Sequence, residues 1–473
     1  MKILYVAAEV APFIKTGGLA DVAGSLPRTI KELGHDIRVV LPLHGAIGEK
    51  YKKKMKKKCE YYVDLNWRRQ YVGVMELKLN GVTFYFLDNE YYFNRDKIYG
   101  EVDDGERYAY FSKAVTLLPK EIKFKPKIMH TNDWHSALVN LFIHEFSKGD
   151  KYYHNIKKVF TIHNLKYQGV FPPSVLGEVM GVSLDYFSES SIKYYDNINF
   201  MKAGLVYADT ITTVSKSYAE EIKFGFFGEG LEGTLGYYSQ KLVGIVNGID
   251  YDVWNPKTDA KIKYKFDKNT LKAKLNNKKY LQKMYGLPQR KDVAMIAMVS
   301  RLSDMKGLDL ISHIIDELLQ EDIQFVLLGT GEEEFENMFK HYQWKYPEKM
   351  AARIYFSEEE AHQIYASADM FLMPSMIEPC GLSQLFALRY GTIPIVREVG
   401  GLKDTIKPYN QYTNEGNGFS FKNYNAHEML FKIKEAIDLY QNNSIYWQAM
   451  MVRAMESDNS WKNSAKQYLE LYK

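Results

Sequence analysis

Two cations on one short loop are the residues best suited to chemistry. The segment SRLSDMKGLD carries Arg301 and Lys306 directly after an apolar, strand-like run, DVAMIAMV. Arginine offers a planar fork and lysine a compact charge, so the pair can hold a pyrophosphate and neutralise charge that grows on it as a bond breaks. The competing interpretation is a pair of solvated surface cations. Their placement just after a strand favours the pyrophosphate.

A carboxylate stands in the segment PSMIEPCGLSQLFAL, residues 374–388. Glu378 precedes a proline, a glycine and a helix predicted to begin near Leu382, and it could accept hydrogen bonds from sugar hydroxyls. The backbone amides of Cys380, Gly381, Leu382 and Ser383 lie at the predicted helix N-terminus, where a phosphate could bind. The alternatives are a plain turn residue for Glu378 and a small buried residue for Cys380, and for Cys380 we favour the second.

A glycine turn follows the first strand-like run. The sequence FIKTGGLADV, residues 13–22, joins MKILYVAAEV to a helical pattern that starts at Leu19. Gly17 and Gly18 would let backbone N–H groups approach a phosphate, and Lys15 would add a full charge. The alternative is a tight turn beside a solvated lysine.

Two further segments of the first half, HTNDWHSAL and TIHNLKYQGVF, end predicted strands with polar and aromatic residues. Aromatic faces stack on sugar rings while amides and imidazoles bind hydroxyls, so these ends indicate a carbohydrate site that includes His163. Asp250 and Asp252 form an Asp-x-Asp pair that could hold a divalent cation. We expect no metal and no other cofactor, because the cationic loop already supplies the positive charge.

Composition limits the class of protein. The chain has 473 residues, a formal net charge of +4, 46% hydrophobic and 25% charged residues, and two cysteines. This length predicts two or three domains of a globular enzyme, and the small net charge does not favour nucleic acid as a partner. The basic run at residues 50–58 is interpreted as a solvated face or loop. Without a signal-peptide pattern or a membrane-spanning apolar stretch, we expect a cytoplasmic protein that has no membrane partner.

Strand-like apolar runs alternate with helical patterns along the chain, which predicts an α/β fold with parallel sheets. Besides the opening run, the predicted strands cover residues 37–41, 83–87, 127–130, 158–162, 210–214, 324–328, 353–356, 370–373 and 393–396. Both halves begin with a strand followed by a lysine and glycine. We therefore predict two nucleotide-fold domains, residues 1–243 and 244–473, with a cleft where strand ends could close on one anionic ligand.

Eight motifs, in this order, resemble the bacterial glycogen synthases and plant starch synthases, a family of retaining glucosyltransferases. They are KTGGLADV, DWH, TIHNLKYQG, YADTITTVS, GLEG, NGIDYDVWNP, SRLSDMKGLD and EPCGLSQL. The resemblance spans essentially the whole chain. It implies the α/β GT-B fold, in which two Rossmann-like domains face each other across a deep cleft. It also implies a first domain on the glucan acceptor side, a second on the nucleotide-sugar donor side, and a last helix, from about Asn459, that crosses back to the first.

The resemblance implies roles for numbered residues. The implied catalytic residues are His163, Arg301, Lys306 and Glu378. The implied substrate-binding residues are Lys15, Gly17, Gly18, Asp21, Asp133, Asn164, Asn247, Phe356, Cys380, Gly381, Leu382 and Ser383. In this scheme Lys15 lies near the donor diphosphate and glucose, Glu378 holds the sugar, and Phe356 is placed to stack on the base.

The implied reaction moves glucose from ADP-glucose to the non-reducing end of an α-1,4-glucan, either glycogen or a maltooligosaccharide, with retention of configuration. Two alternatives stay open at this stage. One is a glucan-binding GT-B scaffold without activity, and the other is a GT-B transferase that uses UDP-glucose.

Overall fold

The computed structural model describes residues 1–473, which divide into two compact units. Unit 1 comprises Met1–Asn247 together with Trp461–Lys473, and unit 2 comprises Gly248–Ser460. Each unit contains a mainly parallel sheet with helices in the crossover connections, as the alternating sequence pattern predicts. None of the helices is long and apolar enough to cross a membrane. The roles expected of the two domains stay predictions.

Unit 1 is built on a nine-stranded sheet of order β12-β11-β7-β6-β1-β2-β5-β4-β3 and a small antiparallel sheet, β8-β10-β9. Its strands are β1 (Lys2–Val6), β2 (Asp36–Pro42), β3 (Lys56–Leu65), β4 (Arg68–Leu79), β5 (Val82–Asp88), β6 (Ile128–Asn132), β7 (Lys157–Ile162), β8 (Val170–Phe171), β9 (Lys193–Tyr194), β10 (Asn197–Asn199), β11 (Thr210–Thr213) and β12 (Leu242–Gly244). Its helices before the chain enters unit 2 are α1 (Gly18–Glu32), α2 (Glu49–Lys52), α3 (Glu90–Phe93), α4 (Asp104–Glu121), α5 (Trp134–Ser147), α6 (Phe200–Tyr207), α7 (Lys216–Glu221), α8 (Gly225–Gly228) and α9 (Glu232–Tyr237).

Unit 2 is built on a six-stranded parallel sheet of order β15-β14-β13-β16-β17-β18. Its strands are β13 (Ala294–Val299), β14 (Ile323–Leu328), β15 (Met350–Arg353), β16 (Met370–Met373), β17 (Ile393–Arg397) and β18 (Phe419–Phe421). Its helices are α10 (Lys272–Tyr285), α11 (Leu308–Leu318), α12 (Glu333–Lys345), α13 (Glu358–Ser367), α14 (Ser383–Arg389), α15 (Gly400–Thr405), α16 (Ala426–Asn442) and α17 (Ser444–Glu456).

The last helix, α18 (Trp461–Leu471), belongs to unit 1. Its Trp461 and Tyr468 are buried in the core that also contains the first strand and α1. Ser464 donates from Oγ to the carbonyl oxygen of Val246, 2.6 Å away. An apolar stripe at helical spacing, buried against α1, therefore fixes the C-terminus of the chain to the unit where the chain began.

One predicted strand is displaced, seven strands (β3, β4, β8, β9, β10, β12 and β18) were not predicted, and the basic run is a solvated face, as expected, but not a loop. The strand expected at residues 353–356 is Met350–Arg353, because Phe325 to Leu328 of β14 pair with Met350 to Arg353. The basic run at residues 50–58 spans a short helix and the start of β3, which is the edge strand of its sheet. Its lysines are mostly exposed, and such charges prevent an edge strand from pairing with another chain.

Candidate functional site

A cavity of about 190 Å³ lies at the carboxyl end of the unit 2 sheet. Its walls are the last residues of two neighbouring strands, β13 and β16, and the segments that follow them. Five predicted site residues line it: Arg301, Lys306, Glu378, Leu382 and Ser383. The other lining residues are Met298, Val299, Ser300, Leu372, Met373 and Ser375. Arg301 and Glu378, 77 positions apart in sequence, are brought together because parallel strands end at the same edge of a sheet.

Two of the residues that line this cavity form an ion pair. Lys306 donates from Nζ to Oε2 of Glu378 at 2.7 Å, and the Ser375 hydroxyl donates to the same oxygen at 2.9 Å. Glu378 is only 7% exposed, while its second oxygen, Oε1, accepts no hydrogen bond from the protein. The pair therefore holds the carboxylate in place and leaves one of its oxygens for a ligand hydroxyl.

The second cation of the cavity has no such partner. Arg301 is exposed, and its guanidinium makes no hydrogen bond or ion pair with the protein. A guanidinium keeps its charge at every physiological pH and binds anions through a planar set of donors. The uncompensated charge in the cavity is thus that of Arg301, because the charge of Lys306 is balanced by Glu378.

Close backbone packing sets the positions of the two loops. Gly307 has a φ of 71°, and a Cβ there would lie 2.1 Å from the carbonyl oxygen of Pro374. Arg397 donates from Nη1 to the carbonyl oxygens of Ser375 and Met376. Only glycine permits both the left-handed backbone and the close approach, so the loops after β13 and β16 are locked to each other.

The segment from Cys380 to Ser383 is only partly as expected. Gly381 has a φ of 71°, Cys380 is buried, and neither lines the cavity. The helix that starts at Ser383 has seven residues. Its phosphate-binding role stays a prediction that depends on Leu382 and Ser383.

Phe356 is 82% exposed beyond the end of β15, as a residue that stacks on a base would need, and it makes no ring contact with another side chain.

Apart from Asn247, which follows β12, the unit 1 site residues follow three neighbouring strands, β1, β6 and β7. Asp133 has φ 53° and ψ 177°, a backbone conformation that residues other than glycine rarely adopt. Its carboxylate accepts the backbone N–H of His163 at 2.7 Å and that of Asn164. Burial raises the pKa of the Asp133 carboxyl to about 7. The strained residue therefore fixes the loop that carries His163.

The imidazole of His163 is held in one orientation. Its Nε2 lies 2.9 Å from Oδ1 of Asn132, which also accepts the Tyr5 hydroxyl, while Nδ2 of Asn132 donates to the carbonyl of Val6. Because Oδ1 is an acceptor, Nε2 carries the proton. Burial lowers the pKa of His163 to about 3, so the ring is neutral and Nδ1 is free to accept a hydrogen bond.

The KTGG loop, residues 15–18, rests on a buried carboxylate, and its phosphate-binding role stays a prediction. The backbone N–H of Thr16 donates to the buried carboxylate of Glu9, and the N–H of Gly17 reaches the same group. These two amides are therefore occupied. Lys15 pairs with Asp21 at 2.8 Å, so its charge is partly balanced as well.

The other predicted residues have local roles or no partner. Asn164 accepts the N–H of Lys166 through Oδ1, which closes a turn. Asn247 is buried and its Oδ1 accepts no hydrogen bond. The Asp250 carboxylate accepts the N–H of Asp252 at 2.8 Å, so the Asp-x-Asp pair closes a turn of its own loop.

Sequence reasoning missed three residues of these sites: Glu9, Asn132 and Ser375. The sequence signal for Glu9 is a single acidic residue in the apolar stretch YVAAEVAPF. The other two are small polar residues at strand ends, where sequence alone does not separate a positioning role from a solvated one.

The fold and the cationic cavity are those of a GT-B glycosyltransferase. The starch synthase catalytic domain family matches residues 2–237, and the glycosyl transferases group 1 family matches residues 283–450. Glycogen synthase from Finegoldia magna is 54% identical over 473 residues, which cover 100% of this chain and 99% of the relative. Glycogen synthase from Lachnospira eligens is 52% identical over 99% of each chain. The chain belongs to the family of bacterial glycogen synthases and plant starch synthases.

A solved structure gives the same result for the fold. The catalytic domain of starch synthase IV from Arabidopsis thaliana, bound to ADP and acarbose, superposes with a TM-score of 0.90 at 31% identity. The match covers 100% of this chain and 98% of the other. The predicted GT-B class is confirmed over the full length.

Proposed function

We propose that this chain transfers glucose from ADP-glucose to the non-reducing end of an α-1,4-glucan, with retention at the anomeric carbon. The observation that carries the proposal is the cavity at the end of β13 and β16, where an unpaired Arg301 lies beside the Lys306–Glu378 ion pair. A cationic pair suits a diphosphate, and a carboxylate with one free oxygen suits a sugar hydroxyl.

The size of the cavity indicates which part of the donor it holds. Pockets that enclose a whole small-molecule ligand have volumes of about 300–1,000 Å³. The cavity of about 190 Å³ is smaller than that range. It therefore suits the diphosphate and an adjoining sugar hydroxyl, and not the complete nucleotide sugar.

The reaction we propose is a displacement on one face of the sugar. The bond from the anomeric carbon to the phosphate oxygen breaks, an oxocarbenium-like state forms, and the acceptor hydroxyl oxygen bonds to the same face. The proton of that hydroxyl moves to the leaving phosphate. Arg301 and Lys306 stabilise the negative charge that grows there, the main electrostatic contribution of the site.

His163 acts here as a neutral group. Its Nε2–H is committed to Asn132, so Nδ1 can accept a hydrogen bond from a sugar hydroxyl while the ring stays neutral. The substrate roles of His163, Asp133, Asn164, Lys15 and the remaining predicted residues are part of the proposal. So is the absence of a metal, since the two cations of unit 2 supply the charge that a divalent ion would bring.

The test is a donor panel with glycogen as acceptor. ADP-glucose, UDP-glucose and GDP-glucose are each incubated with the protein, and nucleoside diphosphate release and chain lengthening are measured. We expect ADP and new α-1,4 linkages. Faster transfer from UDP-glucose would replace the donor assignment, and glucan binding without transfer from any donor would leave a binding scaffold in place of an enzyme.

A further inference from the structure

A buried carboxylate lies directly beneath the KTGG loop. Glu9 follows β1 and is 3% exposed. Its Oε2 accepts the Thr16 backbone N–H at 2.5 Å and the Thr16 hydroxyl at 2.6 Å, and the Gly17 N–H reaches the same carboxylate. Three donors of one loop thus converge on one side chain.

No cation balances Glu9. It forms no ion pair with any lysine, arginine or histidine, and burial raises the pKa of its carboxyl. Burying a carboxylate is costly unless hydrogen bonds replace its water. The loop donors are the groups that do so, which means that the carboxylate and the loop conformation stabilise each other.

The same contact caps the following helix. The helix α1 begins at Gly18 with Gly17 as its N-cap residue, and no side chain of the cap itself accepts a hydrogen bond. The first N–H groups of a helix need acceptors, and a negative charge there is favourable. Glu9, in the segment that follows β1, accepts the N–H of the N-cap residue Gly17, so it fixes the loop relative to the sheet.

We propose that Glu9 is a positioning residue for the transfer reaction. It fixes the KTGG loop in the conformation in which Lys15 can contact the ligand. The inference rests on the proposed function. It differs from a general stabilising role because the residues that Glu9 touches adjoin Lys15 and Gly18 directly.

The first measurement is independent of activity. Hydrogen–deuterium exchange of peptides covering residues 10–20 is followed by mass spectrometry in the wild type, in Glu9→Gln and in Thr16→Val. Glutamine keeps the shape but cannot accept from all three donors, and Thr16→Val removes only the hydroxyl of an exposed residue. We expect at least tenfold faster exchange in Glu9→Gln and a smaller increase in Thr16→Val.

A matched control is present in unit 2. Glu336 accepts the Thr330 hydroxyl at 2.6 Å and the Gly331 N–H at 3.0 Å, a similar contact on a loop that does not line the cavity. Glu336→Gln should leave exchange of residues 10–20 unchanged.

The second measurement tests action through Lys15. Glu9→Gln should lower kcat about tenfold or more, with a much smaller change in the KM for the nucleotide sugar. In the Lys15→Ala background the same substitution should lower kcat less than twofold, since residues that act as a unit are not additive. Glu9→Asp, which keeps the charge, should recover part of the activity.

Three results would overturn the inference. Unchanged exchange in both Glu9→Gln and Thr16→Val would show that the carboxylate does not fix the loop. An equal loss of kcat with and without Lys15 would show that Glu9 does not act through that lysine. If the wild type transfers no glucose while exchange responds as expected, the proposed function and the role in transfer fail together, and the loop contact stands.

Discussion

Replacing Glu378 with glutamine should make ADP bind more tightly while glucose transfer becomes slower. Oε2 of Glu378 lies 2.7 Å from Nζ of Lys306, so the carboxylate competes with a diphosphate for the same ammonium group and repels it. Glutamine keeps the volume of the side chain and removes the charge. An ordinary binding residue would have the opposite effect on affinity.

The magnitude follows from the geometry. A charge-assisted bond from Lys306 to a phosphate oxygen is about 2.7–2.9 Å long, so that oxygen lies within about 5.6 Å of Oε2. Two unit charges at that distance repel by about 0.7 kcal/mol in water and about 3 kcal/mol at an effective dielectric constant of 20. Removing the repulsion should tighten ADP binding roughly tenfold, within about 3-fold to 150-fold limits.

The transfer rate should fall for a separate reason. A hydrogen bond to a charged group contributes about 1.5–3 kcal/mol, so an amide oxygen in place of the carboxylate should slow transfer roughly tenfold or more. Isothermal titration calorimetry with ADP and a steady-state assay of ADP release give the two numbers separately.

Two variants bracket the result. Glu456→Gln is the matched control. Glu456 forms an ion pair of 2.6 Å with Lys268, and neither residue lines the cavity, so this variant should change neither the ADP affinity nor the transfer rate. Lys306→Ala should weaken ADP binding. Unchanged or weaker ADP binding by Glu378→Gln would refute the reasoning, and Lys306 would then grip the diphosphate without competition from the carboxylate.

Three further predictions follow from single residues. Arg301→Ala should lower the transfer rate about a hundredfold or more, the scale for losing one transition-state donor, whereas EDTA should leave the wild-type rate nearly unchanged in the same assay. Gly18→Ala places a Cβ where no protein atom lies within 4 Å, so the melting temperature should stay unchanged while the transfer rate falls. Gly307→Ala, whose Cβ would clash with Pro374, should instead lower the melting temperature. Burial lowers the pKa of Lys274 to about 7, so between about pH 7 and 10 the unfolded chain binds a proton that the native protein does not. The free energy of unfolding of the wild type should therefore rise with pH relative to that of Lys274→Met. Chemical denaturation at several pH values measures this difference.

The alternating pattern was sufficient for most of the fold. Continuous apolar runs such as MKILYV predict strands buried on both faces, and β1, β14 and β16 are indeed buried in the parallel sheets. Such runs are easily read because burial on both faces leaves no polar alternation. The motif order then predicts the GT-B class, which the comparisons confirm.

One of the elements that the sequence did not predict is a helix whose buried face is largely polar. The stretch at residues 257–287 has many lysines and few apolar residues, yet it contains α10. Lys274 and Lys278 of that helix are buried, with Lys278 bonded to Asp369 at 2.6 Å. Because these lysines point inward towards carbonyl and carboxylate partners, the helix lacks the continuous apolar stripe from which a sequence prediction identifies a buried face.

The placement of β15 failed for another reason. The residues RIYF have higher strand propensity than MAAR, but the pairing with β14 selects Met350–Arg353. Strand propensity measures how a side chain packs in its sheet, and the partner strand therefore decides the register.

In the candidate site, the charged residues of unit 2 were predictable and the supporting contacts were not. Arg301, Lys306 and Glu378 were predicted from residue type and position at strand ends, and they line one cavity. The contact of Glu9 with the KTGG loop depends on three-dimensional proximity across a turn, so no local pattern reports it.

Buried carboxylates shape the loops of unit 1 through backbone amides. Glu9 accepts N–H groups of the KTGG loop, and Asp133 accepts those of the loop that carries His163. The N–H groups of Thr16, Gly17, His163 and Asn164 are therefore occupied, and Lys15 is paired with Asp21. These loops offer acceptors and a neutral imidazole, which suit sugar hydroxyls better than they suit an anion.

Unit 2 uses its buried carboxylate differently. Glu378 pairs with the side chain of Lys306, and no carboxylate pairs with Arg301, so the cavity keeps one uncompensated positive charge. An anion can also draw on Lys306 once it competes with Glu378 for that ammonium group. We infer that the diphosphate of the donor depends mainly on unit 2, because attraction between charges of opposite sign needs a cation that its own protein has not already neutralised.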